Sequence, residues 1–138
     1  MSSESSLTVL IPAYNEARVI GHTLESLSAQ TRRPDRILVV DDGSSDDTGQ
    51  IAARLGADVV RPASNTGSKA GAINFGLRSV ESEWLVVLDA DTALAPDALQ
   101  QLLSAAQEQK AGAACGLVLP QRVRTLWERA RFVEYLLA

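Results

Sequence analysis

Asp89 and Asp91 are the residues whose type and spacing most directly suggest chemistry. They follow an unbroken apolar run at residues 84–88, Trp-Leu-Val-Val-Leu, which is typical of a parallel strand buried on both faces. Residues two apart on an extended segment point the same way, so the two carboxylates are expected to converge. They then repel each other unless a cation such as Mg²⁺ or Mn²⁺ lies between them. In the alternative interpretation both are solvated turn residues that cap the next helix.

Polar side chains also follow two earlier apolar runs, at residues 7–11 and 37–40. The side chains that come after these runs are Tyr14, Asn15, Glu16, Asp41 and Asp42. The carboxyl ends of parallel strands meet at one edge of a sheet, where ligands of such sheets bind. The pattern therefore predicts one functional mouth, in which the ring of Tyr14 offers a stacking surface to a nucleobase.

Strand-like and helix-like patterns alternate along the whole chain, which predicts a mostly parallel sheet covered by helices on both faces. Strands are expected at residues 7–11, 37–40, 58–61, 84–88 and 113–119. Helices are expected to end near Gln30, to begin at Asp46 or Asp47, at about Lys69, at Pro96 and at about Thr125. The side chains expected to face inward on the second, third and fourth helices are Ile51, Leu55, Ala70, Ile73, Leu77, Leu99, Leu102, Leu103 and Ala106.

Length and composition indicate one domain over residues 1–138, with a disordered polar N-terminus at 1–6 and a C-terminal helix at 121–138. A net charge of −4 argues against a nucleic-acid partner. The single Cys115 lies in an apolar segment and is expected to be a core thiol, and the lone His22 is not expected to be catalytic. No apolar run is long enough to span a membrane, and the first residues do not form a signal peptide.

Several familiar motifs are absent or incomplete. The first strand is not followed by a Gly-x-Gly-x-x-Gly turn, and the chain has no phosphate-binding Gly-x-x-x-x-Gly-Lys-Ser/Thr loop. The segment that begins at Asp41 resembles a calcium loop but places Ala52 where a bidentate glutamate is needed. The Asp89-Ala90-Asp91-Thr92 segment also resembles the aspartyl phosphatases of the haloacid dehalogenase type. Their fifth position does not match Ala93, and this interpretation is kept as an alternative.

Four motifs in order carry a more specific resemblance. They are Pro12-Ala13-Tyr14-Asn15-Glu16, Asp41-Asp42-Gly43-Ser44-Ser45-Asp46, Asn65-x-Gly-x-Lys69-Ala70-Gly71-Ala72-x-Asn74 and Asp89-Ala90-Asp91. From about Leu7 to the end, the chain resembles the family 2 glycosyltransferases. The resemblance implies the three-layer α/β/α, Rossmann-like GT-A (nucleotide-diphospho-sugar transferase) fold. It also implies transfer of a sugar from a nucleotide-diphosphate donor, UDP-linked and with inversion, to an acceptor hydroxyl.

The resemblance also implies a role for each matching residue. Pro12, Tyr14 and Glu16 correspond to the loop beside the nucleoside, and Asp42 to the aspartate that binds the base. Asn65, Lys69 and Gly71 match the segment near the diphosphate and sugar. Asp89 matches the residue that serves the ribose and, with Asp91, the pair that binds Mn²⁺ or Mg²⁺ on the diphosphate.

The general base of this family lies in a later acidic segment, so the resemblance places it beyond Ala138 and makes this chain a donor-binding half. The Lys-Ala-Gly-Ala-x-Asn form of the third motif resembles the polysaccharide-synthase branch. That resemblance implies a saccharide or lipid-linked acceptor and a parent protein at the cytoplasmic face of the membrane. The arginines and aromatic residues of the last segment fit an interfacial helix or a helix packed on the missing half.

Two other functions stay open from the residues alone. A nucleotidyltransferase shares the architecture but prefers a Gly-rich, basic loop after its first strand, where this chain has Tyr14-Asn15-Glu16. A catalytically silent binding or interaction module is also compatible with the motifs.

Overall fold

The computed structural model of the chain describes residues 5–116, in which strands and helices alternate as the sequence predicts. The strands are β1 (Leu7–Ala13), β2 (Arg36–Asp41), β3 (Asp58–Val60) and β4 (Trp84–Val87). The helices are α1 (Ile20–Ser28), α2 (Thr48–Arg54), α3 (Lys69–Leu77) and α4 (Ala98–Glu108). The predicted helix at 121–138 and residues 117–119 of the predicted fifth strand lie outside the described residues, as do residues 1–4 of the predicted disordered N-terminus.

The four strands form one parallel sheet in the order β3-β2-β1-β4. The central strand β1 is buried along its whole length, and its residue Ile11 lies beside Val39 of β2. On its other side, Leu10 lies beside Val87 of β4. The chain therefore runs outward from β1 to β3 and then returns to place β4 on the opposite side of β1.

Helices cover both faces of the sheet. On one face, Leu10, Leu38 and Val40 form a buried cluster with Ala72 of α3. On the other face, Gly49 of α2 lies over Val59 and Asp41, and Gly21 of α1 lies beside α2 at Ile51 and Leu55. Helices on both sides of a parallel sheet give the three layers that the alternating pattern predicts.

The inward face of α3 differs from the prediction. The residues expected to face inward were Ala70, Ile73 and Leu77. Ala70 is exposed, Leu77 is 40% exposed, and Ala72 and Gly76 are the buried residues of this helix. A Cβ atom on Gly76 would lie only 2.7 Å from Val40 and 2.8 Å from Leu10. The absence of a side chain at Gly76 therefore lets α3 approach the sheet closely. Apolar periodicity does not reveal that a glycine faces the sheet.

Strand β4 is less buried than predicted. The sequence indicated a strand buried on both faces, whereas Trp84, Leu85 and Val86 are half-buried and Val87 is 44% exposed. The physical reason is its position, because among the described residues β4 pairs only with β1 and forms an edge of the sheet.

The chain divides into two compact units, Met1–Gln100 and Gln101–Ala138. In the second unit, residues 113–116 are not a strand, so this part of the predicted fifth strand is wrong. Cys115 is exposed and is not a core thiol, because no regular element buries it. No helix within residues 5–116 is both long and apolar enough to cross a bilayer.

Candidate functional site

A cavity of about 500 Å³ lies in the first unit, at the carboxyl ends of the strands where the strand order reverses between β1 and β4. This switch point is where open α/β sheets bind ligands, because the loops after the two strands diverge there. The cavity is lined by Pro12, Ala13, Tyr14, Glu16, Asp42, Asn65, Gly67, Ser68, Lys69, Ala72, Asp89, Ala90 and Asp91. The structure therefore brings together all the site residues predicted from the sequence except Gly71.

The loops after β1 and β2 are joined by hydrogen bonds to one another. The Asn15 N–H donates to Ser44 Oγ (2.9 Å), and Asn15 Oδ1 accepts from the Ser45 N–H (2.8 Å). The Glu16 N–H donates to Thr48 Oγ1 (2.9 Å). Asn15 has a positive φ of 55°, a conformation that asparagine tolerates better than most residues. These contacts hold Tyr14 and Glu16 at the cavity, and the Tyr14 side chain is 55% exposed there.

Adjacent aspartates at the end of β2 have different structural roles. Asp41 accepts from the Ser44 N–H (2.9 Å) and forms an ion pair with Arg61 (2.9 Å). Asp42 is only 4% exposed and lines the cavity, and both of its carboxylate oxygens accept hydrogen bonds from Thr66. The turn at the end of β2 is therefore closed by the Asp41 carboxylate, while the Asp42 carboxylate lies at the cavity.

Gly71 has a packing role that the sequence prediction did not identify. It does not line the cavity, although its motif predicted a place beside the diphosphate. A Cβ atom on Gly71 would lie 2.7 Å from Thr66 Oγ1, so only glycine leaves room for that side chain. The Gly71 N–H donates to Ser68 Oγ (3.0 Å), which caps the start of α3.

Asp89 and Asp91 lie in a turn after β4 and not on the strand itself. The Thr92 N–H closes this turn by donating to the Asp89 carbonyl (3.1 Å), and Thr23 Oγ1 donates to the Ala90 carbonyl (2.7 Å). Both aspartates lie at the cavity, as predicted, but this turn brings them there. The predicted cause, alternation of side chains along a strand, was wrong. Capping of the next helix is also excluded, since α4 begins only at Ala98.

The two aspartates have different partners. Lys69 Nζ forms an ion pair with Asp89 Oδ1, while the Asp91 carboxylate accepts a long hydrogen bond from Thr92 Oγ1 at 3.4 Å. Within residues 5–116 no group of three or more His, Cys, Asp or Glu side chains is arranged as a metal cage. One or two carboxylates nevertheless suit Mg²⁺ or Mn²⁺ when phosphate oxygens and water complete the coordination.

The pKa of Glu16 reflects the negative charge of the cavity. Its pKa is raised above the ordinary value, first by partial burial and then by the nearby negative charges of Asp91, Asp46 and Asp89. With Asp42 also at the cavity, Lys69 is the only basic residue among the described lining residues. A site of this charge attracts cations, and an anionic ligand needs a cation to enter it.

The raised pKa of Glu16 gives a testable pH dependence. A carboxyl with a raised folded-state pKa contributes stability that is complete below its ordinary value of 4.5 and is lost as pH rises through the raised value. Glu16→Gln remains neutral at every pH. In metal-free buffer it is expected to melt above the wild type near pH 7, and this advantage should vanish below about pH 4.

Thermal unfolding followed by circular dichroism between about pH 4 and pH 8 measures this difference. Glu83→Gln provides the matched control, because Glu83 is exposed and does not line the cavity. An equal advantage of Glu16→Gln at all pH values would contradict the electrostatic explanation.

Sequence reasoning missed Thr66 and Ser68, which support the site through Asp42 and the start of α3. The available signal for Ser68 was a serine directly before a helical pattern, which is typical of an N-cap. No local signal identifies Thr66, because its partner Asp42 is distant in sequence and becomes adjacent only in the folded chain.

Comparison with known proteins agrees with this geometry. The family model for Glycosyl transferase family 2 matches residues 8–137. The 4,4'-diaponeurosporenoate glycosyltransferase of Staphylococcus aureus (strain USA300) is 35% identical over 112 residues, which cover 78% of this chain and 30% of that protein. This chain thus spans about a third of the curated relatives that it matches.

Two solved structures resemble the fold. Staphylococcus aureus TarS 1-349 matches with a TM-score of 0.70 at 26% identity, over 84% of this chain and 38% of that one. Glucosyl-3-phosphoglycerate synthase from Mycobacterium tuberculosis, in complex with Mn²⁺, UDP and glucosyl-3-phosphoglycerate, matches with a TM-score of 0.61 at 26% identity, over 75% and 40%. The predicted Rossmann-like GT-A fold is confirmed, and the chain belongs to glycosyl transferase family 2.

Proposed function

We propose that this chain binds a nucleotide-diphosphate sugar, with UDP as the nucleotide, together with Mn²⁺ or Mg²⁺, and that its parent protein transfers the sugar to an acceptor hydroxyl with inversion. The observation that carries the proposal is the cavity at the β1/β4 switch point, which Asp42, Lys69 and Asp91 all line. These residues come from three separate segments, after β2, at the start of α3 and after β4. Placed on different sides of the molecule, they would have supported no common ligand.

The charge of the cavity supports a metal-dependent mode of binding. A diphosphate is repelled by Glu16, Asp89 and Asp91 unless positive charge accompanies it. A bound Mn²⁺ or Mg²⁺ supplies positive charge that neutralises the diphosphate as the sugar–oxygen bond breaks. Asp91 is suited to hold this ion because its carboxylate has no basic partner among residues 5–116, and Lys69 adds a second positive charge at the start of α3.

The remaining lining residues divide into a nucleoside end and a sugar–phosphate end. Pro12, Tyr14 and Asp42 lie at the carboxyl ends of β1 and β2, where an aromatic face and a fixed acceptor suit a nucleobase. Asn65 and Lys69 flank the α3 side, and we assign them to the diphosphate and sugar. Asp89 is assigned to the ribose and the metal, with Glu16 beside it.

Relatives of this chain support the choice of ligand. Glucosyl-3-phosphoglycerate synthase, whose fold this chain resembles at 26% identity, was crystallised with Mn²⁺ and UDP. The phosphatase alternative is disfavoured, because it would require Asp89 as a nucleophile while Lys69 pairs with that carboxylate. We place the acceptor among saccharides or lipid-linked compounds, and the parent protein at the cytoplasmic face of a membrane.

Titration calorimetry with UDP tests donor binding. We expect the chain to bind UDP in the micromolar to millimolar range in the presence of Mn²⁺. Chelation of the metal is expected to abolish the heat of binding, since the cavity is acidic. UDP binding that is indifferent to chelation would contradict the metal-dependent mode.

A transfer assay separates a complete enzyme from a donor-binding module. Release of UDP from a UDP-sugar, followed with and without saccharide and lipid-linked acceptors, measures turnover by the 138-residue chain. Metal-dependent UDP binding without turnover would assign this chain donor binding alone.

A further inference from the structure

We propose that Thr66 is a positioning residue that fixes the Asp42 carboxylate and thereby sets the choice of nucleobase. The inference rests on the proposed function, because it takes Asp42 as the group that meets the base. Thr66 itself does not line the cavity, so it acts through Asp42.

Thr66 contacts both oxygens of one carboxylate. Its N–H donates to Asp42 Oδ1 at 2.8 Å, and its hydroxyl donates to Asp42 Oδ2 at 2.8 Å. Asp42 is only 4% exposed although it lines the cavity, so little water competes for these oxygens. Two donors from one residue hold the carboxylate in a single plane and rotation.

A carboxylate held in this way presents a defined pattern to the cavity. Each oxygen has a second lone pair, so Asp42 still accepts a hydrogen bond from a ligand. An ionised carboxylate cannot donate. It therefore favours a base edge that carries an imide N–H, as uracil does, over one that presents a ring nitrogen acceptor, as cytosine does. A carboxylate free to rotate would accept from the exocyclic amine of cytosine as well.

The start of α3 makes room for the Thr66 side chain beside Asp42. Gly71 leaves space where a Cβ atom would lie 2.7 Å from Thr66 Oγ1 and 2.8 Å from Thr66 Cβ. The Ser68 carbonyl lies 3.1 Å from the same hydroxyl and is the more distant of its two acceptors. Thr66 is thus held between the carboxylate and the first turn of α3, which also carries Lys69.

The discriminating experiment compares UDP and CDP binding by calorimetry in Mn²⁺. Thr66→Val keeps the shape and the backbone N–H but removes the hydroxyl. We expect its affinity for UDP to fall about tenfold, since a hydrogen bond to a charged group is lost, and its affinity for CDP to change little. The ratio of UDP affinity to CDP affinity should therefore fall about tenfold, and Thr66→Ser should restore this ratio. Thr31→Val, at an exposed position away from the cavity, is the matched control.

A double-mutant cycle checks that Thr66 acts through Asp42. In an Asp42→Asn background, Thr66→Val is expected to change UDP affinity less than about twofold, because the carboxylate it orients is gone. Three outcomes would overturn the inference in favour of a structural role. They are an equal loss of affinity for UDP and CDP, a Thr66→Ser variant that does not restore the ratio of the two affinities, and unfolding of Thr66→Val. If the wild type fails to bind UDP, the proposed function fails as well. An unchanged ratio in a Thr66→Val variant that binds UDP overturns this inference alone.

Discussion

Asp91→Asn is expected to abolish the metal dependence of UDP binding. The Asp91 carboxylate lines the cavity and has no basic partner in the described part of the chain, whereas Lys69 already neutralises Asp89. Loss of a supporting residue outside the metal's ligands commonly weakens metal affinity about 10–100-fold, and loss of a direct ligand should reach at least the upper end of that range. We therefore expect UDP affinity in Mn²⁺ to fall to the level of the chelated wild type.

Calorimetry with Mn²⁺ alone and with UDP plus Mn²⁺ measures this effect directly. Asp47→Asn removes the same charge from an exposed residue that does not line the cavity and whose side chain makes no capping hydrogen bond to α2, and it should bind like the wild type. Asp89→Asn should be less damaging to Mn²⁺ binding than Asp91→Asn, because Lys69 already neutralises the Asp89 carboxylate. Wild-type Mn²⁺ affinity in Asp91→Asn would remove the central residue of the proposed site.

Gly76→Ala is expected to destabilise the protein, although alanine is the better helix former. The new methyl group would lie 2.7 Å from Val40 and 2.8 Å from Leu10, both fully buried in the central strands. Overpacking of this kind costs about 1–3 kcal/mol, while alanine recovers about 1 kcal/mol of helix propensity. The free energy of unfolding should therefore fall by up to about 2 kcal/mol, measured by urea denaturation.

Gly21→Ala is the matched control, because it makes the same change in another helix. A Cβ atom on Gly21 would lie 3.8 Å from Leu55 and 3.9 Å from Ile51, which are ordinary packing distances. This variant should gain about 0.5–1 kcal/mol from helix propensity alone. Stabilisation by both substitutions would show that the sheet yields to α3, and that the close approach at Gly76 is not required.

Much of the fold follows from local patterns in the sequence. The apolar runs at β1 and β2 are short, are followed by turn residues and alternate with helical periodicity, so their type and order were predicted. The buried face of α3 was not predicted. Gly76 faces the sheet because it has no side chain, and Leu77 remains exposed. Hydrophobicity alone cannot reveal a contact that depends on backbone proximity.

The sequence by itself predicted most of the polar residues that line the cavity, because parallel strands bring their carboxyl ends to one edge and the polar motifs follow those ends. The tertiary structure decided how these residues are paired. Lys69 pairs with Asp89, and Thr66 donates two hydrogen bonds to Asp42, only because the chain folds, since the two residues of each pair are about 20 or more positions apart in sequence. Such pairings depend on distances of a few ångströms between side chains, and no local periodicity encodes them.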